Sequence, residues 1–412
     1  MTTYAQDKGF SVLVHHWLVT YRGGEKVLGE FRRLFPDAPI MTLISFRGQI
    51  PSWIGGNVII TSWIQWIPGA RWCYKMLLPL HARAFRSLRV PRFARLVLSS
   101  DASLAKAVRV PAGARHVCYC HSPPRYLWDM LSEYTEYARD LGPFGRFLFK
   151  FVAATSRKFD YQAAQGVDHF IANSRFVAER IQKCYGRESM VVYPPVAVDD
   201  FTPDKQSAGF YLVVGHIVPY KRVDLAVTAC TMLGRNLVVV GEGSELDRLK
   251  RIAGPTVEFL GRQPFAVVKN FMECCRAFLY PQVEDFGITA VEAQAAGRPV
   301  IAYRKGGALE TVIEGSTGLF FEEQTPKALA DAICRFESEF EGRYDPRRCR
   351  ANAERFRPER FRTEIKTLLT RWYPELFRDY CWPDVGQDAI VPLVLGANAR
   401  SVGEWPGIRG PH

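Results

Sequence analysis

The stretch EDFGITAVE puts Glu284 and Glu292 eight positions apart, with Asp285, Phe286, Gly287 and Ile288 between them. Two carboxylates at such a spacing suit general acid and base work, acceptance of hydrogen bonds from a polyhydroxylated ligand, or mere surface solvation. The surrounding residues predict a strand ending at Pro281, a loop, and a helix from about Gly287 to Ala296, stopped by Gly297. Eight residues of helix rise about 12 Å, beyond the roughly 5–9.5 Å of a glycosidase pair. Two acceptors bracketing a long ligand fit better. The first helix amides, around Gly287, Ile288 and Thr289, then offer donors to an anion between them. Glu292 stands among Val291, Ala293, Ala295 and Ala296, poor company for a surface charge.

Three further stretches carry chemistry. In YRGGEKVLGEF (21–31), Gly23 and Gly24 open a helix directly after a strand, where backbone amides can approach an anion; a plain tight turn is the competing reading. In CYCHSPPRYLWD (118–129), His121 ends a strand and Pro123-Pro124 stiffen the backbone beyond it. A strand-end imidazole can donate to or accept from a substrate hydroxyl near neutral pH, or can be a structural hydrogen-bonder. Arg125 and Trp128 follow, suited to an anionic or amphipathic acceptor. In VVGHIVPYKRVDLAV (213–227), Lys221 and Arg222 stand at a turn before a helix, either a phosphate clamp or a solvated basic turn. GEGSELDRL (241–249) gives a second glycine-bearing turn, suited to a base or ribose.

The elements that must position these residues alternate, short apolar runs with amphipathic segments, as in βα units around parallel sheets. Strands are predicted at 11–18, 40–45, 95–100, 115–121 and 169–174, then at 211–217, 236–241, 257–261, 277–281, 299–303 and 318–321. The segment 191–204 holds Pro194, Pro195 and Pro203 and reads as a stiff connector. The predicted organisation is an N-terminal Rossmann-like domain (1–190), a linker (191–204), a second Rossmann-like domain (205–354), a closing helix (355–380) and a loose tail (381–412). Ligands of such sheets bind at the C-terminal strand ends, here expected to face a cleft between the two domains.

Bulk properties narrow the function classes. With 412 residues, two domains are expected. The ten cysteines are scattered without a CxxC pair, which argues for reduced thiols and against a disulfide framework or zinc site. No basic–apolar–small leader pattern opens the chain. Charge is lopsided: residues 1–200 hold 26 Lys and Arg against 15 Asp and Glu, while 201–412 hold 28 against 27. No acidic residue falls between Asp37 and Asp101, where Arg47, Arg71, Lys75, Arg83, Arg86, Arg89, Arg92 and Arg95 interleave with Trp53, Trp63, Trp66 and Trp72. That mixture suits an anionic membrane surface, with nucleic acid or plain solvent as competing readings. Residues 48–70 lack charge, but Pro51, Gly55, Gly56, Asn57, Gln65 and Pro68 make strand, turn and loop a better fit than a membrane span. A dinucleotide-binding dehydrogenase is disfavoured, since no G-x-G-x-x-G with a following acidic residue succeeds the first strand.

Taken in order, HHWLVTYRGGEKVL, CYCHSPPRYLWDM, IANSRFVAERI, GHIVPYKRVDLAV, VVVGEGSELDRL and EDFGITAVEAQAAGRPVIAYRKGGALETVIEGSTGLFF make the chain resemble the retaining GT-B glycosyltransferases of family 4, in particular their O-antigen and exopolysaccharide mannosyltransferase branch. The likeness runs from about residue 11 to 370. It implies an α/β GT-B fold of two Rossmann-like domains. It also implies that Gly23 and Gly24 approach the donor diphosphate and that His121 contacts the transferred sugar. Lys221 would neutralise the leaving diphosphate, Glu284 would bind sugar hydroxyls beside Asp285 and the amides of Phe286 and Gly287, and Glu292 would hold the ribose. The Leu260-Gly261 turn would lie near the base. His216 stands where the family usually has an Arg, and His16 where it has an Asp. An imidazole gives a hydrogen bond but no permanent charge, which bears on activity and its pH range.

The resemblance and the residues together predict metal-independent transfer, for no DxD pair ends a strand and Lys221 with the helix amides would meet the leaving charge. The expected donor is a nucleotide-diphosphate sugar, GDP-mannose favoured, and no further cofactor. The expected acceptor is a lipid-linked glycan in surface-polysaccharide synthesis, held by Arg71, Lys75, Arg83, Arg125 and Trp128 on the cytoplasmic, inner face of the plasma membrane, without nucleic acid. The alternative is a non-catalytic homologue that binds nucleotide sugar or partners.

Overall fold

The computed structural model describes residues 10–46, 48–55, 58–74, 77–129 and 142–383; Arg47, Lys75 and the tail from 384 lie outside them. Within the described residues the chain forms two compact units, one taking the residues up to Val196 and from Phe356 on, the other Ala197–Arg355.

The first unit is a seven-stranded parallel sheet. Its strands are β1 (Ser11–His15), β2 (Ile40–Thr42), β3 (Ile59–Thr61), β4 (Leu96–Asp101), β5 (Arg115–Cys120), β6 (His169–Ala172) and β7 (Ser189–Val191), in the order β3-β2-β1-β4-β5-β6-β7. The order reverses at β1, which pairs with both β2 and β4. Register puts His15 opposite Ser100 and Asp101 opposite Cys120. The strands are continuous apolar runs because helices cover both faces of a parallel sheet: Val12, Val14, Met41, Val97 and Phe85 pack on one side, Leu13, Phe31, Leu98 and Tyr119 on the other.

The second unit is a six-stranded parallel sheet of β8 (Tyr211–Val214), β9 (Leu237–Val240), β10 (Val257–Gly261), β11 (Ala277–Tyr280), β12 (Val300–Tyr303) and β13 (Gly318–Phe321), ordered β10-β9-β8-β11-β12-β13. Its reversal lies at β8, between β9 and β11. Both sheets are therefore doubly wound. In such sheets a crevice opens beyond the C-terminal strand ends at the reversal.

Three elements depart from the expectation. Residues 59–61, read only as part of a strand, turn and loop stretch, form one edge strand; residues 189–191 add the other, just before the proline segment; and the C-terminal stretch is not one helix. Helix Pro358–Trp372 ends where Pro374 removes an amide donor, and a separate turn follows at Pro374–Phe377. Phe361, Ile365, Leu368 and Leu369 of that helix enter the first unit's core beside Phe31 and Leu34, and Arg362 pairs with the largely buried Glu30.

Candidate functional site

In the second unit three loops meet at the reversal. The loop after β8 carries His216 and runs through the turn Pro219–Lys221 into helix Val223–Leu233. The loop after β11 carries Glu284 and Asp285 into helix Ile288–Ala295, and the loop after β12 carries Lys305, Gly306 and Gly307. Lys221 Nζ forms an ion pair with Glu284 Oε1, both side chains about four-fifths buried. Gly307 donates its amide to the Glu284 carbonyl at 2.8 Å. A Cβ on Gly306 would lie 2.6 Å from that same carbonyl, so the β12 loop can rest on the Glu284 backbone only with glycine there.

Arg222 has positive φ, +50°, rare for a side-chain-bearing residue, and caps helix Val223–Leu233. Its guanidinium is held by Asp224, Nε to Oδ1 at 3.1 Å and Nη2 to Oδ2 at 3.2 Å. Of the two cations expected to clamp an anion, Lys221 is thus turned to Glu284 and Arg222 to a neighbouring carboxylate. Lys305 is exposed and has no ion-pair partner among the described residues.

Gly287 sits at φ +100°, and a Cβ there would meet Tyr280 Oη at 2.6 Å. Glycine lets the chain turn sharply from β11 into a helix whose first amides stay available to a ligand. Phe286 is buried, so only its backbone can serve a ligand. Glu292 is 8% exposed, while Ala290, Val291, Ala293, Gln294 and Ala295 around it are wholly buried. The helix is fixed from behind by Asn352 Nδ2, which donates to Gln294 Oε1 at 2.6 Å. At the far loop Gly261 accepts from the Gly241 amide at 2.8 Å, and Leu260 from Gln263 Nε2 at 2.6 Å.

The first unit brings its own residues together at the β1/β4 reversal. Gly24, in the first turn of helix Gly23–Leu34, lies against two imidazoles: the position of a Cβ there is 3.4 Å from His15 Cε1 and 3.7 Å from His121 Nε2. His121 follows β5 and shares a 2.8 Å hydrogen bond between Nε2 and Ser100 Oγ. His15 Nε2 is 3.6 Å from Glu25 Oε1, and Glu25 Oε2 accepts the Arg22 amide at 2.9 Å. Burial pushes the Glu25 carboxyl up, but His15 and the backbone amides outweigh it and leave it below the ordinary range.

The loop after His121 is tied down. Arg180 donates to Ser122 Oγ and to the Pro123 carbonyl, and pairs with Asp129. Trp128 gives its indole N–H to the buried Asp160 at 2.8 Å, so a structural bond occupies the polar end of this predicted acceptor group. Arg71 lies over Phe46 at 5.6 Å and Arg83 is exposed. Lys75 lies outside the described residues. Arg125 opens the short helical turn that ends at Trp128.

Sequence reasoning misses two groups, Ser100 and Lys106, and assigns no role to a third, His16. His16 is a buried neutral ring, lowered to about 3 by burial and then by His81, and stacked 5.8 Å from Phe85. Ser100 is one small residue at the end of an apolar run. Lys106 is fully buried, its ammonium 2.9 Å from Asp101 Oδ2, 2.5 Å from Asp160 Oδ1 and 2.8 Å from the Ser103 carbonyl. The only signal for it is a lysine inside ASLAKAV, a stretch otherwise of small and apolar residues.

Residues 200–356 match the family model described as glycosyl transferases group 1. An uncharacterized glycosyltransferase of Methanocaldococcus jannaschii is 30% identical over 194 residues, 46% of this chain and 52% of that protein. A GDP-mannose-dependent alpha-(1-6)-phosphatidylinositol monomannoside mannosyltransferase of Mycobacterium tuberculosis is 29% identical over 200 residues, 41% of this chain and 52% of that protein. The chain spans about half the length of the curated relatives it matches. Among solved structures, Anabaena HepE in complex with UDP-glucose superposes with a TM-score of 0.63 at 16% identity, covering 88% of this chain and 99% of that one. Sucrose-phosphate synthase of Thermosynechococcus elongatus gives 0.64 at 17%, covering 89% and 100%. The fold is GT-B, two Rossmann-like α/β units, and the match to the group 1 model falls almost wholly within the second unit.

Proposed function

We propose that this chain is a retaining, metal-independent glycosyltransferase that moves a hexose, mannose from GDP-mannose being favoured, onto a lipid-linked glycan in surface-polysaccharide synthesis. One observation carries the reading: Lys221, Glu284 and the helix start at Gly287 converge at the β8/β11 reversal, within the stretch that matches the group 1 model. A nucleotide sugar presents there a diphosphate flanked by sugar and ribose hydroxyls. Lys221 and the amides of Gly287 and Ile288 meet the charge of the leaving diphosphate, as preorganised electrostatic stabilisation in place of a metal. Glu284 accepts from the sugar, Glu292 from the ribose, and the Leu260-Gly261 turn lies by the base. In the first unit Gly23, Gly24 and His121 serve the diphosphate and the transferred sugar. The mycobacterial mannosyltransferase supports the choice of GDP-mannose and of a lipid-borne acceptor, and HepE with its bound UDP-glucose supports a nucleotide-sugar donor.

The acceptor side rests on the basic, tryptophan-bearing segment 47–95, with Arg71, Arg83 and Arg125 contacting an anionic lipid surface. The protein is then peripheral on the inner face of the plasma membrane. Among the described residues no helix is long and apolar enough to cross a membrane.

Purified protein given GDP-mannose, UDP-glucose and related donors with lipid-linked acceptor should release nucleotide with one of them, and Glu292→Ala should lose most of that activity at donor concentrations below the wild-type KM. Full activity in Glu292→Ala would remove the site. The second reading, a non-catalytic binder of nucleotide sugar, is favoured by His216, which offers no permanent charge where a second cation would help. Calorimetry that shows donor binding without turnover from about pH 5 to 9 would select it.

A further inference from the structure

We propose that Ser100, backed by the buried Asp101–Lys106–Asp160 triad, is the positioning device for His121 in sugar transfer. Ser100 fixes the imidazole tautomer, and the triad fixes the strand end from which both residues project. This rests on the glycosyltransferase reading with His121 at the transferred sugar.

Register makes the juxtaposition inevitable. β4 and β5 pair in parallel from Leu96↔Arg115 to Asp101↔Cys120, so His121 emerges one step past Asp101. The His121 amide donates to the Asp101 carbonyl at 2.8 Å, and its Nε2 bonds Ser100 Oγ at 2.8 Å. Backbone and ring are thereby tied to two consecutive residues of one strand. Ser100 is wholly buried with Nε2 as the partner of its hydroxyl, and a buried hydroxyl donates its proton rather than leave it unsatisfied, so Nε2 accepts and the ring proton sits on Nδ1. Tyr119 packs edge-on to the ring at 5.2 Å, and Gly24 lies along its Nε2–Cε1 edge.

The strand end is itself locked. Asp101 Oδ1 accepts the amides of Ser103 at 2.9 Å and Ala105 at 2.8 Å, and Oδ2 receives Lys106. Lys106 donates to Asp101 Oδ2 and to the Ser103 carbonyl, and its ammonium is ion-paired with Asp160 Oδ1 at 2.5 Å. Asp160 in turn takes Trp128 Nε1 and Tyr185 Oη, each at 2.8 Å on Oδ2. The triad thus joins β4, helix Gly142–Gln165, helix Arg175–Tyr185 and the turn that follows the His121 loop. A buried network of paired charges holds its elements to one geometry, because any shift strands a charge away from water. The burial of a full charge triad is otherwise hard to account for, since apolar residues of similar volume would fill the space at no electrostatic cost.

The decisive measurement is 15N NMR of the imidazole nitrogens, with kinetics beside it. Wild type should show His121 as one tautomer; Ser100→Ala should show an averaged pair, and Ser100→Thr, which keeps the hydroxyl, should retain the wild-type pattern. In turnover, Ser100→Ala should lower kcat about tenfold with donor KM changed less than about twofold, and Ser100→Thr should restore most of it. Asp160→Asn, which keeps the Lys106–Asp101 pair, should fold and broaden or shift the His121 signals. Unchanged tautomer populations in Ser100→Ala, or a kcat equal to wild type, would overturn the proposal. A single tautomer in wild type that is lost in Ser100→Ala, without turnover on any donor, would uphold the positioning and sink the glycosyltransferase reading instead.

Discussion

Lys221 Nζ rests on Glu284 Oε1, so the two groups assigned to phosphate and sugar share one point and neutralise each other. A donor seated there must part them, the ammonium turning to the diphosphate and the carboxylate to hydroxyls. The ion pair is partly exposed and contributes little to stability, which keeps that exchange cheap. Removing the ammonium should therefore spare the fold and strike the transition state, where the leaving charge is largest. Lys221→Met should lower kcat by about 10²–10³, with a smaller rise in donor KM, as steady-state kinetics would show. Glu292 should behave differently, since a ribose contact is the same in ground and transition states: Glu292→Gln should weaken donor binding by roughly tenfold or more in calorimetry and leave kcat near wild type. At His216 the charge inventory favours a gain. Arg222 is spent on Asp224, and an imidazole changes charge between pH 5 and 8. His216→Arg should tighten donor binding several-fold and flatten its dependence on pH; an unchanged or weaker affinity would place His216 away from the diphosphate.

At the scale of elements, the buried charges of the first unit and its buried imidazoles set its pH response. Lys106→Met leaves Asp101 and Asp160 buried without their cation and should cost about 3–5 kcal/mol, read as a lower denaturation midpoint. His16 and His116 are held neutral, at about 3 and about 4, chiefly by burial. Both folded values lie below the ordinary 6.5, so their stabilisation is complete above that pH and is lost as pH falls toward the folded values. Two protons taken up on unfolding amount to about 2–3 kcal/mol per pH unit. The urea midpoint should thus fall between about pH 6 and pH 5, and His16→Phe should reduce the slope. A midpoint flat over that range would mean that these rings are hydrated. The sheets that carry these groups were legible beforehand because each strand is an apolar run buried on both faces, as in LVLSS and LVVV. The loops of the second unit were legible too, since Gly287, Lys221 and Glu284 follow strand ends directly. Asp101, Lys106 and Asp160 were not: Asp160 comes from a distant helix, and only the winding of the sheet brings the three together. Edge strand Ser189–Val191 has three residues and an exposed Met190, too short and too mixed to stand out from the proline segment beside it. Arg222 looked like a free cation until its positive φ turned it onto Asp224.

For the molecule as a whole, net charge of +11 in residues 1–200 and +1 in 201–412, from 26 against 15 and 28 against 27 charged residues, points one end of the chain at an anionic partner. Burial sharpens this. Trp66 and Trp72 are 80% and 85% exposed, and Trp63 and Phe93 also stand out from the first unit, while Arg71, Arg83, Arg89 and Arg92 are exposed in the same span. Exposed indoles gain little in water but settle at the headgroup layer of a bilayer, and each basic side chain near an anionic surface contributes about 1 kcal/mol. Beneath them Trp17, Phe46, Ile67 and Tyr74 pack on Val19, Ile44 and Ala70, so the surface has a folded support of its own. Substitutions at Trp66 and Trp72 should accordingly leave stability unchanged. The expected result is co-flotation of the protein with vesicles containing phosphatidylglycerol, weakened by salt as the Debye length shortens, and poor flotation with phosphatidylcholine alone. Trp66→Ser combined with Trp72→Ser should release most of the protein while retaining turnover on a water-soluble acceptor. Arg71→Gln with Arg83→Gln should remove the lipid preference and its salt dependence. Equal binding to both vesicle types, or release by neither pair of changes, would assign these tryptophans and arginines to another partner.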